Sequence, residues 1–237
     1  YGYRRVTRQL HREHIPINHK KVLRIMRERS LTRKRKRRFI RTTNSNHKCK
    51  IYPNLLKNRS VTALNQVWVA DITYIRITTT FVYLAVILDL FSRKAIGYCI
   101  SRNLDTAFCL SALNMALKNR NPPKGVIHHS DRGVQYASRD YVDMLHSHQF
   151  VISMSRKGNP FDNATAESFM KTLKTEEVYL WEYQTLADVQ KRLPYFIEQV
   201  YNQKRLHSSL DYRPPDEFEQ MFLLTKKSQN PCLAPFG

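Results

Sequence analysis

The sequence predicts a mixed α/β domain preceded by a small basic helical module. Three segments rich in Val, Ile, Tyr, Phe and Thr lie at 66–77, 80–90 and 94–101, separated by short polar breaks. Such a run favours an antiparallel meander. Helical and strand-like segments then alternate, which is typical of a mixed α/β sheet. Residues 1–50 differ from this part, because they hold 18 Lys and Arg against two acids.

The N-terminal part is predicted to form two short helices. A basic helical stretch spans 4–14, and Asn18 is placed to cap a second helix that runs to residue 29. Apolar residues at helical spacing give the second helix one buried stripe, and Lys20 and Arg24 lie outside it. Two interpretations remain open here: half of a helix-turn-helix that reads DNA, or a basic hairpin that contacts DNA without reading bases.

A run of six cations follows the second helix. Such a run cannot fold compactly on its own, so we expect it to be solvated and to order on a phosphate backbone. The polar residues that come next, up to residue 62, are predicted to be a linker. The six cations are Arg33, Lys34, Arg35, Lys36, Arg37 and Arg38.

Composition indicates a nucleic-acid partner. The formal net charge is +21, and most of it lies in the first 50 residues. A basic arm followed by a domain of nearly balanced charge suggests that the arm binds phosphates and that the domain has a different function. The longest apolar run is strand-sized, so no membrane span is predicted. Four scattered cysteines without a CxxC pair suit a reducing cytosol. Because the chain starts at Tyr1 rather than Met, we expect its natural N-terminus to lie upstream.

The remaining elements follow in a regular order. Helical and strand-like patterns alternate after the meander and end in two helices. We predict helices near 105–119 and 138–148, strands at 125–129 and 150–155, a helix around Glu167, and another near 185–202.

Three acidic residues occupy positions that suggest chemistry. Asp71 interrupts an apolar strand at 67–75, where a lone carboxylate is costly unless it is paired or binds a metal. Asp131 closes a second apolar segment just before a Gly-containing turn, and Glu167 lies in a helical stretch. Three carboxylates on three elements match the oxygen ligation that a hard divalent cation such as Mg²⁺ requires.

Lys174 follows Glu167 by seven residues, which is two helical turns. The two side chains therefore share one stripe, roughly 10 Å apart along the axis. An amphipathic helix with a solvated Glu-Lys face would have the same spacing. The combination of Glu167 with Asp71 and Asp131 favours a site instead.

Three further polar residues have structural interpretations. Asp89, at the end of a predicted strand, is expected to cap a turn, with a role as a fourth acid as the alternative. Asp162 and Asn163 are expected to cap the helix of Glu167, although either could contact a metal-bound water.

Four ordered motifs resemble the integrase-core transposases of bacterial insertion sequences, specifically the second-reading-frame proteins of the insertion-sequence-three group. The segments 68–74, 129–136 and 158–169 match the catalytic motifs that contain Asp71, Asp131 and Glu167. Leu173 and Lys174 follow in register, and 201–210 matches the closing motif. The resemblance covers nearly the whole chain. Asp211 and Pro214 depart from it, where Gly and a small hydroxyl residue are expected.

This resemblance implies a ribonuclease-H-like, retroviral-integrase-like catalytic core with a mixed five-stranded sheet. The core would span 63–222, between a basic helical DNA-binding module with its linker at 1–62 and a tail at 223–237. In that fold Asp71, Asp131 and Glu167 converge at one end of the sheet.

The resemblance further implies a DDE transposase that cleaves the ends of an insertion sequence and transfers the strands to target DNA. Asp71, Asp131 and Glu167 would hold two Mg²⁺ or Mn²⁺ ions, and Lys174 would bind the backbone beside the scissile phosphate. The expected partners are element ends, target DNA, further copies of the chain on paired ends, and an upstream-frame protein. The expected location is the bacterial cytoplasm, at the nucleoid.

Two other classes of protein share part of this pattern. A ribonuclease-H-like nuclease that only hydrolyses would need the acids but no basic arm. A non-catalytic DNA-binding protein would need the arm but not three carboxylates in apolar settings.

Overall fold

A computed structural model describes residues 1–32, 49–57, 59–156 and 160–229 of the chain. Its contacts divide the chain into two compact units, Thr42–Asn202 and the combination of Tyr1–Arg41 with Gln203–Gly237. The boundaries of these units differ from the predicted domain boundaries at residues 62 and 222. The predicted division into functional domains stays a prediction. Within the described ranges, no helix is both long and apolar enough to cross a membrane.

One mixed sheet organises the larger unit. In the described part of the chain its five strands lie in the order β3-β2-β1-β4-β5. The first three pair antiparallel, whereas β4 pairs parallel with both β1 and β5. The predicted meander and the mixed five-stranded sheet are therefore confirmed. The strands are β1 Val67–Arg76, β2 Phe81–Asp89, β3 Ala95–Ser101, β4 Ile127–Ser130 and β5 Val151–Met154.

Helices cover both faces of this sheet. Each predicted helix is present, and a short one-turn helix after β4 was not predicted. The helices are α3 Thr106–Arg120, α4 Val134–Ala137, α5 Arg139–Ser147, α6 Ala164–Leu173 and α7 Leu186–Tyr195. A 3-10 turn, Pro160–Asn163, precedes α6, and π-helical turns follow α6 and α7 at Lys174–Val178 and Phe196–Asn202.

Successive residues of β1 alternate between two hydrophobic layers. Val67 and Val69 pack with α6 and α7 on one face. Trp68 and Ala70 pack with α3 and α5 on the other. Asp71 continues the alternation onto the α6 face, as the period of two in a strand requires. The carboxylate of Asp71 therefore lies on the face of the sheet that α6 covers.

The smaller unit contains α1 Tyr3–Arg12, α2 His19–Glu28, a 3-10 turn Ser208–Leu210 and α8 Pro215–Gln229. The side chain of Asn18 accepts a hydrogen bond from the backbone N–H of Lys20, so its predicted capping role is confirmed. The buried stripe of α2 contains Val22 and Met26. The unit is tied internally, because Arg12 forms an ion pair of 2.5 Å with Glu217 on α8.

The region after residue 210 was not predicted in detail. Helix α8 starts at Pro215, a residue whose fixed φ suits the first helical position. Asp211, where the family pattern has Gly, adopts a left-handed conformation with φ of 51°. Asp tolerates that region better than most side chains. The departure therefore preserves the turn that glycine would make.

Candidate active site

Asp71 lies in the middle of β1, partly buried on the face covered by α6. The backbone N–H of Ile72 donates a hydrogen bond of 2.9 Å to its Oδ1. Burial, followed by the charges of Asp131 and Glu167, raises the pKa of Asp71 to about 8, against the opposing effects of the Ile72 N–H and Lys174. Asp131, Glu167 and Lys174 therefore lie near enough to Asp71 for their charges to act on its carboxylate.

Asp131 follows the last residue of β4. The parallel register pairs Val69 of β1 with His129 of β4. Asp71 and Asp131 each come two residues later, so both acids lie at the same level on adjacent strands. The backbone N–H of Gly133 donates to Asp131 Oδ1 at 2.9 Å. A Cβ at Gly133 would lie 3.0 Å from that oxygen, so glycine leaves room for the carboxylate.

His129 fixes the strand that carries Asp131. Its ring is fully buried, with Nδ1 at 2.8 Å from Ser153 Oγ and Nε2 at 3.0 Å from Ser155 Oγ. Burial lowers the pKa of His129 to about 4, against the effect of Asp162. A neutral imidazole bonded on both nitrogens holds β4 to the β5 side of the sheet. Its part is therefore to position Asp131.

Glu167 lies on the exposed side of α6, while the opposite side of that helix is buried. Partial burial still raises the pKa of Glu167. That buried side is largely apolar, since it contains Ala166, Phe169, Met170 and Leu173.

Lys174 is the first residue after α6, where the helix widens into a π-helical turn. Its ammonium lies 4.5 Å from the centroid of the Tyr74 ring. Burial lowers the pKa of Lys174, and the charge of Asp71 acts in the opposite direction. The sequence analysis placed Lys174 near the acids, but it did not single out Tyr74 as a site residue. The only indication in the sequence is that Tyr74 is an aromatic residue three positions after Asp71.

The donor set at this site consists of carboxylate oxygens, which hard divalent cations such as Mg²⁺ and Mn²⁺ prefer. Among the described residues, no three His, Cys, Asp or Glu side chains are grouped closely enough to hold a metal ion as they stand. Carboxylates that share a low-dielectric site repel one another. Burial and the charges of Asp131 and Glu167 raise the pKa of Asp71, and a divalent cation would oppose both effects, so the chemistry of the carboxylates fits such a cation.

Asp89 has a structural role, as expected. It is fully buried, and its carboxylate accepts hydrogen bonds from the backbone of Phe91, Ser92 and Asn65. These bonds close the turn that follows β2 and anchor the segment before β1.

The prediction that Asp162 and Asn163 cap α6 is only partly correct. Asn163 occupies the N-cap position, but its side chain makes no capping hydrogen bond. Instead its Nδ2 donates to the carbonyl of Ala70 at 3.1 Å. Asp162 lies in the 3-10 turn and pairs with Arg156 at 3.2 Å, which lowers the pKa of Asp162 to about 2. Contact of either side chain with a metal-bound water stays a prediction.

Only some of the predicted DNA-binding residues lie in the part of the chain that the structure describes. Lys20 and Arg24 are exposed on α2, and Arg24 pairs with Glu28 at 3.0 Å. The six cations at 33–38 lie outside the described residues. A DNA contact for all of these stays a prediction.

Protein-family models match most of the chain. Residues 61–160 and 148–215 match models described as integrase core domain, and residues 1–39 match a model described as HTH-like domain.

Curated relatives of the chain come from bacterial insertion sequences. An "Insertion element IS600 uncharacterized 31 kDa protein" of Shigella sonnei is 39% identical, over 94% of this chain and 82% of the relative. "Transposase for insertion sequence element IS904" of Lactococcus lactis is 38% identical, over 93% and 87%. "Transposase InsF for insertion sequence IS3A" of Escherichia coli is 37% identical, over 92% and 76%.

Two solved structures share the fold at low sequence identity. A chain in the simian T-cell lymphotropic virus intasome with PP2A regulatory subunit B56 gamma has a TM-score of 0.56 at 17% identity, covering 93% of this chain and 70% of that one. The catalytic core domain of BIV integrase has a TM-score of 0.50 at 15% identity, covering 68% and 98%. The predicted ribonuclease-H-like, integrase-like fold is therefore confirmed.

Proposed function

Because this chain belongs to the integrase-core family of insertion-sequence transposases, we propose that Asp71, Asp131 and Glu167 are its catalytic acids. The protein is a DNA transposase, an enzyme of the polynucleotidyl-transferase type. The observation that carries the residue assignment is the packing of α6, which carries Glu167, over the face of β1 that holds Asp71, with Asp131 just past the end of the neighbouring β4. A strand, a loop after a second strand and a helix each contribute one acid, although they are distant in sequence.

The proposed cofactors are two Mg²⁺ or Mn²⁺ ions per site, held by the carboxylates of Asp71, Asp131 and Glu167. When bound, such ions activate the attacking oxygen and stabilise the leaving oxygen of a phosphodiester. The chain supplies the rigid frame for this chemistry. Asp71 lies on β1 and Asp131 directly follows the neighbouring β4, and backbone N–H groups orient both carboxylates.

We propose two successive phosphoryl transfers. In the first, a water oxygen attacks the phosphodiester at the element end, the bond from phosphorus to the 3′ oxygen breaks, and a 3′-hydroxyl and a 5′-phosphate result. In the second, that 3′-hydroxyl attacks a phosphodiester of target DNA, and the displaced 3′ oxygen takes up the proton that the attacking hydroxyl loses. Lys174, which lies near enough to Asp71 for the two charges to interact, would bind the phosphate oxygens of the reacting strand.

The basic part of the chain would hold the DNA outside the site. Its phosphate contacts would come from Lys20 and Arg24 and from the cations at 33–38. A reaction that joins two element ends to one target requires more than one active site, so the functional form would be a multimer. An upstream-frame protein would be a further partner.

A strand-joining assay tests this function. The full chain is incubated with Mg²⁺, a target duplex and a labelled duplex from the end of its own element, already recessed to expose the 3′-hydroxyl. We expect labelled products longer than the substrate. The matched control is the same duplex with a 3′-deoxy terminus, which has no nucleophile and should give none.

The outcome separates the three classes of protein. Longer products support the transposase mechanism, whereas only shortened fragments from the authentic end would replace it with hydrolysis alone. DNA binding without any cleaved or joined product would support the interpretation as a non-catalytic DNA-binding protein. Lys174→Ala should reduce joining, and Lys171→Ala, an exposed lysine one turn earlier on the same helix, should have a smaller effect.

A further inference from the structure

Lys174 and Tyr74 form a cation–π contact at the edge of the acidic site. The ammonium of Lys174 lies 4.5 Å from the ring centroid, within the range of about 6 Å in which a ring quadrupole attracts a cation. The two residues come from different elements, the turn after α6 and strand β1. The contact therefore ties the end of the catalytic helix to the strand that carries Asp71.

The Tyr74 ring is itself held in place. It packs edge-on against Phe81 of β2, with the ring centroids 5.3 Å apart and the ring planes at 87°. Tyr83 is directly opposite Tyr74 in the antiparallel register. A lysine side chain has a long flexible stem, and confining it costs rotamer entropy. A fixed aromatic face offsets part of that cost before DNA binds.

The position of the ammonium matters because Lys174 also interacts with Asp71. A lysine that formed ion pairs with the carboxylates would compete with a metal ion and would no longer be available to bind a DNA phosphate. A ring that attracts the ammonium from a second direction keeps it beside the acids without requiring a direct ion pair. Tyr74 can do this with its ring alone, because the attraction comes from the π face.

We propose that Tyr74 is a positioning residue, whose ring holds the Lys174 ammonium beside Asp71, ready for a phosphate oxygen of the reacting DNA strand. The inference rests on the proposed role of Lys174 in phosphate binding. It adds that the aromatic ring, and not the Tyr74 hydroxyl, is the group required.

The first test examines the contact in the DNA-free protein and is independent of function. With selective isotope labelling of lysine, the ε-methylene signals of Lys174 should be shifted by the ring current of Tyr74. The shift should persist in Tyr74→Phe and disappear in Tyr74→Leu. Tyr83→Leu, which removes the aromatic residue opposite Tyr74 on the neighbouring strand, should leave it largely in place. If the wild-type protein shows no such shift, the inference is overturned whatever the enzyme does.

The second test examines the consequence in the joining assay and in the affinity for the pre-nicked end. We expect Tyr74→Leu to weaken end binding about threefold to thirtyfold, the range between exposed and desolvated cation–π contacts. Tyr74→Phe should retain wild-type behaviour. In the Lys174→Ala background, Tyr74→Leu should cause little further loss, because residues that act through one contact give non-additive effects.

The failures of the two proposals are distinguishable. Additive losses in the double variant, or equal losses for Tyr74→Phe and Tyr74→Leu, would overturn the positioning role even if strand joining proceeds. Normal end affinity in Lys174→Ala, together with a clear ring-current shift in the wild-type protein, would instead overturn the phosphate-binding role of Lys174, and with it this inference. If Tyr74→Leu does not fold, fluorinated phenylalanines at position 74 keep the ring shape while weakening its quadrupole. End affinity should then fall stepwise with fluorine number, and a flat response would contradict the proposal.

Discussion

Asn163 and Ala70 connect the two elements that carry the first and third acids. The Nδ2 of Asn163, just before α6, donates a hydrogen bond of 3.1 Å to the carbonyl of Ala70, the residue before Asp71. Asn163 is buried, with 7% of its surface exposed. The parallel pairing of β1 with β4 extends only to Val69. Asn163 thus bonds to a strand carbonyl just beyond that pairing and sets the start of α6 relative to Asp71.

Asn163→Ala should therefore affect both stability and catalysis. It leaves the buried carbonyl of Ala70 without this donor, which costs about 1–3 kcal/mol. It also releases Glu167 from its position relative to Asp71, so the cleavage rate should fall. Chemical denaturation and end cleavage measure the two effects.

The matched control for this change is Asn119→Ala. Asn119 also donates through Nδ2 to a strand carbonyl, that of Ile96 at 3.0 Å, but from α3 on the opposite face of the sheet. Its loss should lower stability without a specific effect on cleavage. Equal catalytic losses in both variants would show that Asn163 acts only through general stability.

Asp71→Asn should abolish strand cleavage with either Mg²⁺ or Mn²⁺ while leaving DNA affinity nearly intact. The amide keeps the shape of the side chain but removes the charge that would hold a cation, so the rate should fall by several orders of magnitude. The free energy of unfolding should not fall, because the change removes a carboxylate whose charge is disfavoured by burial and by repulsion from Asp131 and Glu167. Glu167→Gln should behave similarly.

The control for the acids is Asp143→Asn, the same chemical change at an exposed carboxylate on α5 that pairs with Arg139. It should leave cleavage unchanged. Retained cleavage in Asp71→Asn would contradict the assignment of that residue as a metal ligand.

Much of the larger unit was predictable because local patterns and tertiary packing agree there. The segments rich in β-branched and aromatic residues predicted the three antiparallel strands, and the alternating helical and strand-like patterns predicted the order of the later elements. Asp71 interrupts an apolar strand in the sequence, and in the structure that strand lies between the two hydrophobic layers. The resemblance to integrase cores implied a mixed five-stranded sheet, which periodicity alone could not give.

The predictions were less complete where long-range contacts decide the outcome. Asn163 has the right type and place for a helix cap, yet the carbonyl of Ala70, 93 positions away, is its partner. The Tyr74–Lys174 contact likewise joins segments that are about a hundred residues apart. Helix α8 was overlooked because Pro214 and Pro215 suggest a turn, although proline is also common at the first position of a helix.

Replacing all six cations at 33–38 with Ala should weaken binding to every DNA sequence by a similar factor. If these residues contact phosphates without reading bases, each lost contact should reduce the slope of log affinity against log salt by about 0.9. Fluorescence anisotropy over a salt series measures that slope. Lys20→Ala with Arg24→Ala provides a comparison on α2. An unchanged slope in the six-residue variant would show that the run does not contact DNA.

Stability should decrease in mild acid because of His128. Burial, followed by the charge of His129, lowers the pKa of His128 to about 3, whereas an unfolded histidine titrates near 6.5. Between these values the unfolded chain binds the additional proton, so the contribution is complete above about pH 6.5 and is lost as the pH falls towards 3. From pH 8 to pH 5 the loss from this residue should be about 2 kcal/mol.

Denaturation of His128→Phe at several pH values tests this dependence. The variant should lose less stability between pH 8 and pH 5 than the wild-type protein. Tyr141→Phe removes the hydroxyl that lies 2.9 Å from His128 Nε2 but keeps the imidazole, so it should retain most of the wild-type pH dependence. An identical pH profile for the wild-type protein and His128→Phe would contradict the assignment.

Tyr136→Phe should leave the free energy of unfolding unchanged or raise it. The ring is buried, 5.3 Å from that of Tyr141, and within the described residues its hydroxyl has no hydrogen-bond partner. An unsatisfied buried hydroxyl costs about 1–3 kcal/mol, and phenylalanine avoids this cost at nearly the same volume. Tyr141→Phe is the opposite case, because its hydroxyl is bonded to His128, and that change should destabilise. Chemical denaturation of the two variants gives the comparison. If Tyr136→Phe were as destabilising as Tyr141→Phe, the Tyr136 hydroxyl would have to form a hydrogen bond in the folded protein, which would contradict this prediction.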